Sequence, residues 1–184
     1  MSPTTLLIIL LALSSFGYYI GRRRAFAVAG DAANVKNLHS RPAYYGALTA
    51  LWCGIPALLL FGFWLAFEST IITTLVVADL PEEIRALPEA RLNLVVNDIK
   101  NLVSGNIVSG EIDPVMQAAA DRYRSLQSIS KAALAVIAIC FAILGIIIVR
   151  AKISKALRAR NVVEKVIKYI LITCSTIAIF TTIG

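Results

Sequence analysis

The stretch AALAVIAICFAILGIIIV, Ala132–Val149, contains eighteen residues and no charge, and its apolar side chains do not alternate with polar ones. A helix of this length rises about 27 Å, close to the roughly 30 Å hydrocarbon thickness of a bilayer. A membrane barrel strand would need about ten residues of in/out alternation, which is absent here. Three more runs are free of charge: Thr4–Ile20, Ala43–Phe67 and Tyr169–Gly184. Across all 184 residues, 58% are hydrophobic and 16% charged, against about 45–50% and about 25% in soluble domains. The expected fold class is all-α, a polytopic helical membrane protein with four membrane-helix segments.

The net charge of +7 is unevenly placed. Gly21–Pro42 has five Lys/Arg against Asp31, and Arg150–Lys168 has seven against Glu164, giving +4 and +6. Glu68–Lys131 has nine acids and six bases, giving −3. Basic loops that alternate with an acidic one follow the positive-inside pattern, so the charge indicates topology and argues against nucleic-acid binding. The bland role of the basic loops is attraction to anionic lipid headgroups. Met1–Thr5 carries no charge while Arg22–Arg24 follow the first run, the reverse of a secretory signal peptide. The first helix is therefore expected to remain as an anchor, with the amino terminus periplasmic.

Three regions follow from this patterning. Residues 1–149 hold membrane helices at about 4–20, 43–77 and 132–149 and an exported insert at 79–131. Residues 150–168 form a basic cytoplasmic connector, either on the membrane surface or solvated. Residues 169–184 begin a further membrane helix of about 24 Å, slightly short of a bilayer, as though the chain were unfinished. The second helix would exceed the bilayer if it continued past Glu68, and Pro56 is expected to bend it. Tyr44 and Tyr45 at its start are expected as interfacial anchors. After Gly21–Arg24, a short loop is expected through Gly30, Asp31, Asn34 and Ser40-Arg41-Pro42.

Within the insert, Leu92, Val95, Val96, Ile99, Leu102 and Val103 recur at helical spacing and Gly105 follows. This predicts an amphipathic helix over Glu89–Ser104. Asp113 before Pro114 is an N-cap signal for a second helix, Pro114–Ile129, with Val115, Ala119, Tyr123, Leu126 and Ile129 along one side. The two can pack as a hairpin.

No Walker loop, GxGxxG, HExxH or nucleophile elbow is present. Cys53, Cys140 and Cys174 lie in apolar runs without ligand spacing, which fits packing rather than a disulfide or zinc. His39 stands alone, and the neighbours Glu82 and Glu83 do not converge on a site. No ionisable residue lies centrally in any apolar run, so the usual mark of an ion path is missing. The expected catalytic, cofactor-binding and metal residues are therefore none, no cofactor is expected, and the substrate-binding residues are unknown. Gly17-x-x-x-Gly21 offers a close approach to another helix.

Four stretches carry a resemblance: GRRRA at Gly21–Ala25, LHSRPAYYGALTALWCGIPALLL at Leu38–Leu60, SGEIDPVMQAAADRYRSLQ at Ser109–Gln127, and RARNVVEKVIKYILITCSTIAIFTTIG at Arg158–Gly184. Together and in this order they resemble the N-terminal region of the PstC family, permease subunits of the bacterial phosphate ABC importer. The resemblance implies a truncated or split chain that precedes the transport core and is not transport-competent alone. It implies a second permease PstA, a separate ATPase PstB that supplies the energy, so that this chain is no enzyme, and a periplasmic phosphate-binding protein PstS. The family's core falls after Gly184, so the resemblance assigns no phosphate or ATPase contact to a numbered residue. The rival reading is a freestanding membrane sensor or regulatory protein whose exported helical insert binds a ligand or partner.

Overall fold

In the computed structural model, residues 2–30, 35, 38–106 and 113–183 are described. Asp31, Asn34 and Lys36 of the first expected loop, and the Ser109–Ile112 part of the third resembling stretch, lie outside them. Among the described residues six helices follow one another: α1 Pro3–Ala29, α2 Pro42–Ala78, α3 Glu82–Arg85, α4 Glu89–Ser104, α5 Pro114–Lys152 and α6 Ala159–Ile183. No strand occurs among them, in keeping with the expected all-α class. Three helices among the described residues, α1, α2 and α5, are long and apolar enough to cross a membrane. With 37 and 39 residues, α2 and α5 measure about 55–60 Å, so each exceeds the hydrocarbon layer.

The chain divides into two compact units. One comprises Pro3–Leu59 and Ile137–Gly184, the other Met1–Ser2 and Leu60–Val136. In the first unit, α1 presents a stripe of buried residues, Leu6, Leu10, Gly17, Gly21, Ala25 and Ala29. Their spacing of about one turn places them on one face, and the small ones let backbones meet. A Cβ on Gly21 would collide with the Thr49 hydroxyl and lie 2.6 Å from the Tyr45 carbonyl oxygen of α2. Gly46 of α2 packs in return on Tyr18, and Gly54 on Ser14. The Gly17-x-x-x-Gly21 spacing thus lies at a close helix contact, with Ile146 of α5 also against Gly17.

Contact between α2 and α5 depends on a different pair. Pro56 has no N–H to give the Trp52 carbonyl four residues earlier, and helix α2 runs on regardless. Gly145 of α5 seats on that carbonyl, where any Cβ would overlap the oxygen. One of its Cα–H bonds therefore points at the acceptor that Pro56 leaves without a helical donor, a weak but favourable contact. Outside these seams, Ile8, Leu11, Leu59, Ile137, Phe141, Leu144 and Phe180 are exposed. So many large apolar side chains facing outward suit a lipid environment.

The second unit has its own core of Ile72, Val76, Leu80, Ile99, Ala119, Ala120 and Tyr123, with Val95, Leu102 and Leu126 packed on it. It draws on α2, α4 and α5. α4 has the expected bounds and ends at Gly105, whose φ of 74° is left-handed and whose N–H reaches the Asn101 carbonyl. Arg122 pairs with Asp79 at 3.1 Å, and Arg124 donates to the Leu102 carbonyl at 2.7 Å. The Ser130 hydroxyl donates to Glu68 at 3.1 Å.

Several boundaries differ from the sequence expectation. The Pro114–Ile129 and Ala132–Val149 helices are one element, α5, because Ser130 and Lys131 include neither Pro nor Gly and only polarity changes there. α1 likewise runs through Arg22–Arg24 as far as Ala29 and stops at Gly30, φ 91°. Within 150–168, α5 ends at Lys152 and α6 begins at Ala159, and residues 169–183 lie within α6. Tyr45 is wholly buried rather than interfacial.

Replacing Gly21 or Gly145 by Leu is expected to destabilise the protein by about 1–3 kcal/mol or more, because the neighbour is backbone and cannot swing aside. Gly62, with nothing within 4 Å of its Cβ position, should accept Ala without loss. Thermal unfolding in detergent should show a lowered midpoint for Gly21→Leu and Gly145→Leu and none for Gly62→Ala.

Candidate functional site

The elbow between α5 and α6 is built by residues more than a hundred positions away. Pro42 starts α2 and the segment just before it turns back across 153–160. The His39 N–H donates to the Lys155 carbonyl at 3.2 Å. The Ser40 hydroxyl accepts the Arg160 N–H at 3.2 Å. It thus caps one of the four donors that the start of a helix leaves unpaired, from a remote part of the chain rather than from the residue before the helix. The Tyr45 hydroxyl donates to the Leu157 carbonyl at 3.0 Å, with the Ser154 carbonyl at 3.5 Å.

These contacts are seated on a core formed by Ala25 and Ala29 of α1, Leu38, Tyr45 and Leu48, Val149 and Ile153, and Ala159 and Val163 of α6. The ends of α1 and α5 and the starts of α2 and α6 therefore meet in one place. Tyr45 explains the difference from the expected interfacial anchor. Its ring is fully buried, and its hydroxyl is satisfied by the Leu157 carbonyl, which also accepts the Ala159 N–H at 2.9 Å. Chemically the arrangement fixes where α6 begins and in which direction it leaves. It offers no nucleophile or general base with a partner in reach.

The sequence nominates no catalytic, cofactor or metal residue to be located. Glu82 and Glu83 sit in the short α3, and Cys53, buried, and Cys140 and Cys174, exposed, are free thiols. Among the described residues no group of three or more His, Cys, Asp or Glu could hold a metal ion. Sequence reading missed the clamp, although Ser40 and Tyr45 fall inside the Leu38–Leu60 stretch that carries the most specific part of the resemblance.

A family model described as phosphate ATP-binding cassette transporter matches residues 7–181. The chain belongs to this family. No curated protein and no solved structure matches it. The match runs through both units and includes every clamp residue, so in this phosphate transporter family member the elbow is part of the shared region rather than an appendage to it.

Removing the clamp groups singly, by Ser40→Ala or Tyr45→Phe, is expected to cost about 1 kcal/mol each. Hydrogen exchange of the peptide spanning 155–163 should quicken about fivefold in either variant, while the α4 peptide is unchanged.

Proposed function

We propose that this chain is the N-terminal part of the membrane-spanning permease subunit of an ABC transporter that imports inorganic phosphate, placed in the bacterial inner membrane with its amino terminus periplasmic. The family match over residues 7–181 carries the proposal. Its support in the structure is the gathering of the basic helix ends. Arg22–Arg24 close the apolar part of α1 and Arg150 and Lys152 that of α5, and these two ends share one core with the start of α2. A positive-inside orientation can hold for α1 and α5 together only if those ends lie on the same membrane face, and the packing meets that condition.

In this reading α1 and the unit-mates of α2 and α5 form a membrane extension in front of the transport core. The unit at 60–136 supplies the periplasmic helical insert, on the side from which the binding protein PstS delivers phosphate. Residues 169–184 open a fourth membrane segment that leads into the core. The chain carries out no chemical step. Energy comes from the ATPase PstB, the pore is shared with the second permease PstA, and alone this segment does not transport. Its own task is positional: the Ser40 and Tyr45 clamp sets the exit direction of α6, on which the following helices would build.

Co-purification tests the proposal. The full chain, tagged at its amino terminus, is expressed in cells lacking the full-length permease and extracted in mild detergent. Recovery of both PstA and PstB is expected. A stable, inserted chain that recovers neither would sink the permease reading and favour a freestanding sensor.

A further inference from the structure

Two adjoining clefts lie between α1 and α5 in the first unit. One, of about 380 Å³, is lined by Phe16, Tyr19, Ile20, Arg23 and Arg24 of α1 with Arg150 of α5. The other, of about 340 Å³, is lined by Arg24, Arg150, Ile147 and Ala151. Arg24 and Arg150 are common to both, so the clefts share a mouth with these two guanidinium groups, and Arg23 joins them in the first. No acid lines either cleft, and among the described residues Arg23, Arg24 and Arg150 form no ion pair. Away from the mouth the walls are apolar, and Phe16, Tyr19 and Ile147 are each 57% exposed.

We infer that these clefts bind one anionic phospholipid, its phosphate held by Arg24 and Arg150 with Arg23 beside them, its acyl chains lying along Phe16, Ile20 and Ile147. Two features choose this occupant. Guanidinium pairs match a phosphate oxygen pair in geometry and charge. The arginines also stand where the apolar parts of α1 and α5 end, the level at which headgroup phosphates lie, and basic pockets between membrane helices favour anionic headgroups there. A free phosphate ion would satisfy the arginines and leave the long apolar walls unfilled. A zwitterionic lipid would fill the walls and bring an ammonium group to an already cationic mouth. The inference rests on the reading that α1 and α5 cross the bilayer. It does not depend on which face is cytoplasmic or on the transporter's other subunits.

Native mass spectrometry of the full chain in neutral detergent provides the test, with phosphatidylglycerol or phosphatidylcholine added at equal concentration. Retention of phosphatidylglycerol over phosphatidylcholine is expected, with a loss on the order of tenfold in the Arg24→Gln/Arg150→Gln variant. The Arg24→Lys/Arg150→Lys variant should fall between wild type and the Gln variant, since it keeps the charge and loses the paired guanidinium geometry. Lys155→Gln/Arg158→Gln, which removes two cations outside the clefts, should keep most of the retention. All four positions are exposed, so folding is expected to persist, and far-ultraviolet circular dichroism checks it. Equal retention by wild type and the Gln variant would overturn the inference. Displacement of the lipid by millimolar inorganic phosphate would also overturn it, by making the free ion the ligand. If instead the chain is released from membranes by alkaline extraction, it is the membrane-crossing reading that fails.

Discussion

Everything in the membrane-helix unit depends on how closely three backbones approach one another. At Gly21 and Gly145 there is no room for a Cβ, since one would strike Thr49 and the other the Trp52 carbonyl. Between helices surrounded by hydrocarbon, the hydrophobic effect gives little reason to associate, and packing at short range has to supply it. Short range requires small residues in register. α1 provides them at positions 17, 21, 25 and 29, and α2 answers with Gly46 and Thr49. The large apolar side chains are consequently left facing outward, the inverse of a soluble core.

Unpaired backbone groups are expensive wherever they are buried, and two interruptions of regular helical pairing have specific partners. The break at 153–158 is met by Tyr45, Ser40 and the His39 N–H. The gap that Pro56 opens at Trp52 is covered by a glycine from the next helix. Thr49, fully buried, returns its hydroxyl to the Tyr45 carbonyl at 2.8 Å and needs nothing else. By contrast the exposed ion pair Arg160–Glu164 at 2.6 Å, about half open to solvent on both sides, contributes little to stability.

Local signals were readable wherever the physics is local. Glu89–Ser104 can be placed from the spacing of Leu92, Val95 and Ile99 and the stop at Gly105, because an amphipathic face and a left-handed cap both depend on near neighbours. Hydropathy separates Ala132–Val149 from the preceding amphipathic segment, but a change of polarity at Lys131 is not a helix end, so α5 is longer than either part suggests. Tyr45 was misassigned for a related reason. A tyrosine opening an apolar run looks like a belt residue, and its real partner, the Leu157 carbonyl, lies 112 positions away. The clamp is a tertiary object with no periodicity of its own. Only the family resemblance concentrated at Leu38–Leu60 drew attention to that stretch, and it did so without saying why. The clefts beside Arg24 escaped notice because summed loop charge does not tell which cations share a wall.

The remote cap on α6 also has a meaning in time. A helix whose opening donors are all held by its own preceding residues can set its direction as soon as it is made. α6 holds the Ala159 N–H locally on the Leu157 carbonyl, but its Arg160 N–H takes its partner from Ser40, a residue synthesised well over a hundred residues earlier. The chain that emerges after Ala159 therefore meets a template already assembled from α1, α2 and α5, and its course is decided by that earlier assembly. An error at the Ser40–Tyr45 segment would thus be felt twice, first where Tyr45 packs on α1 and again when α6 is laid down.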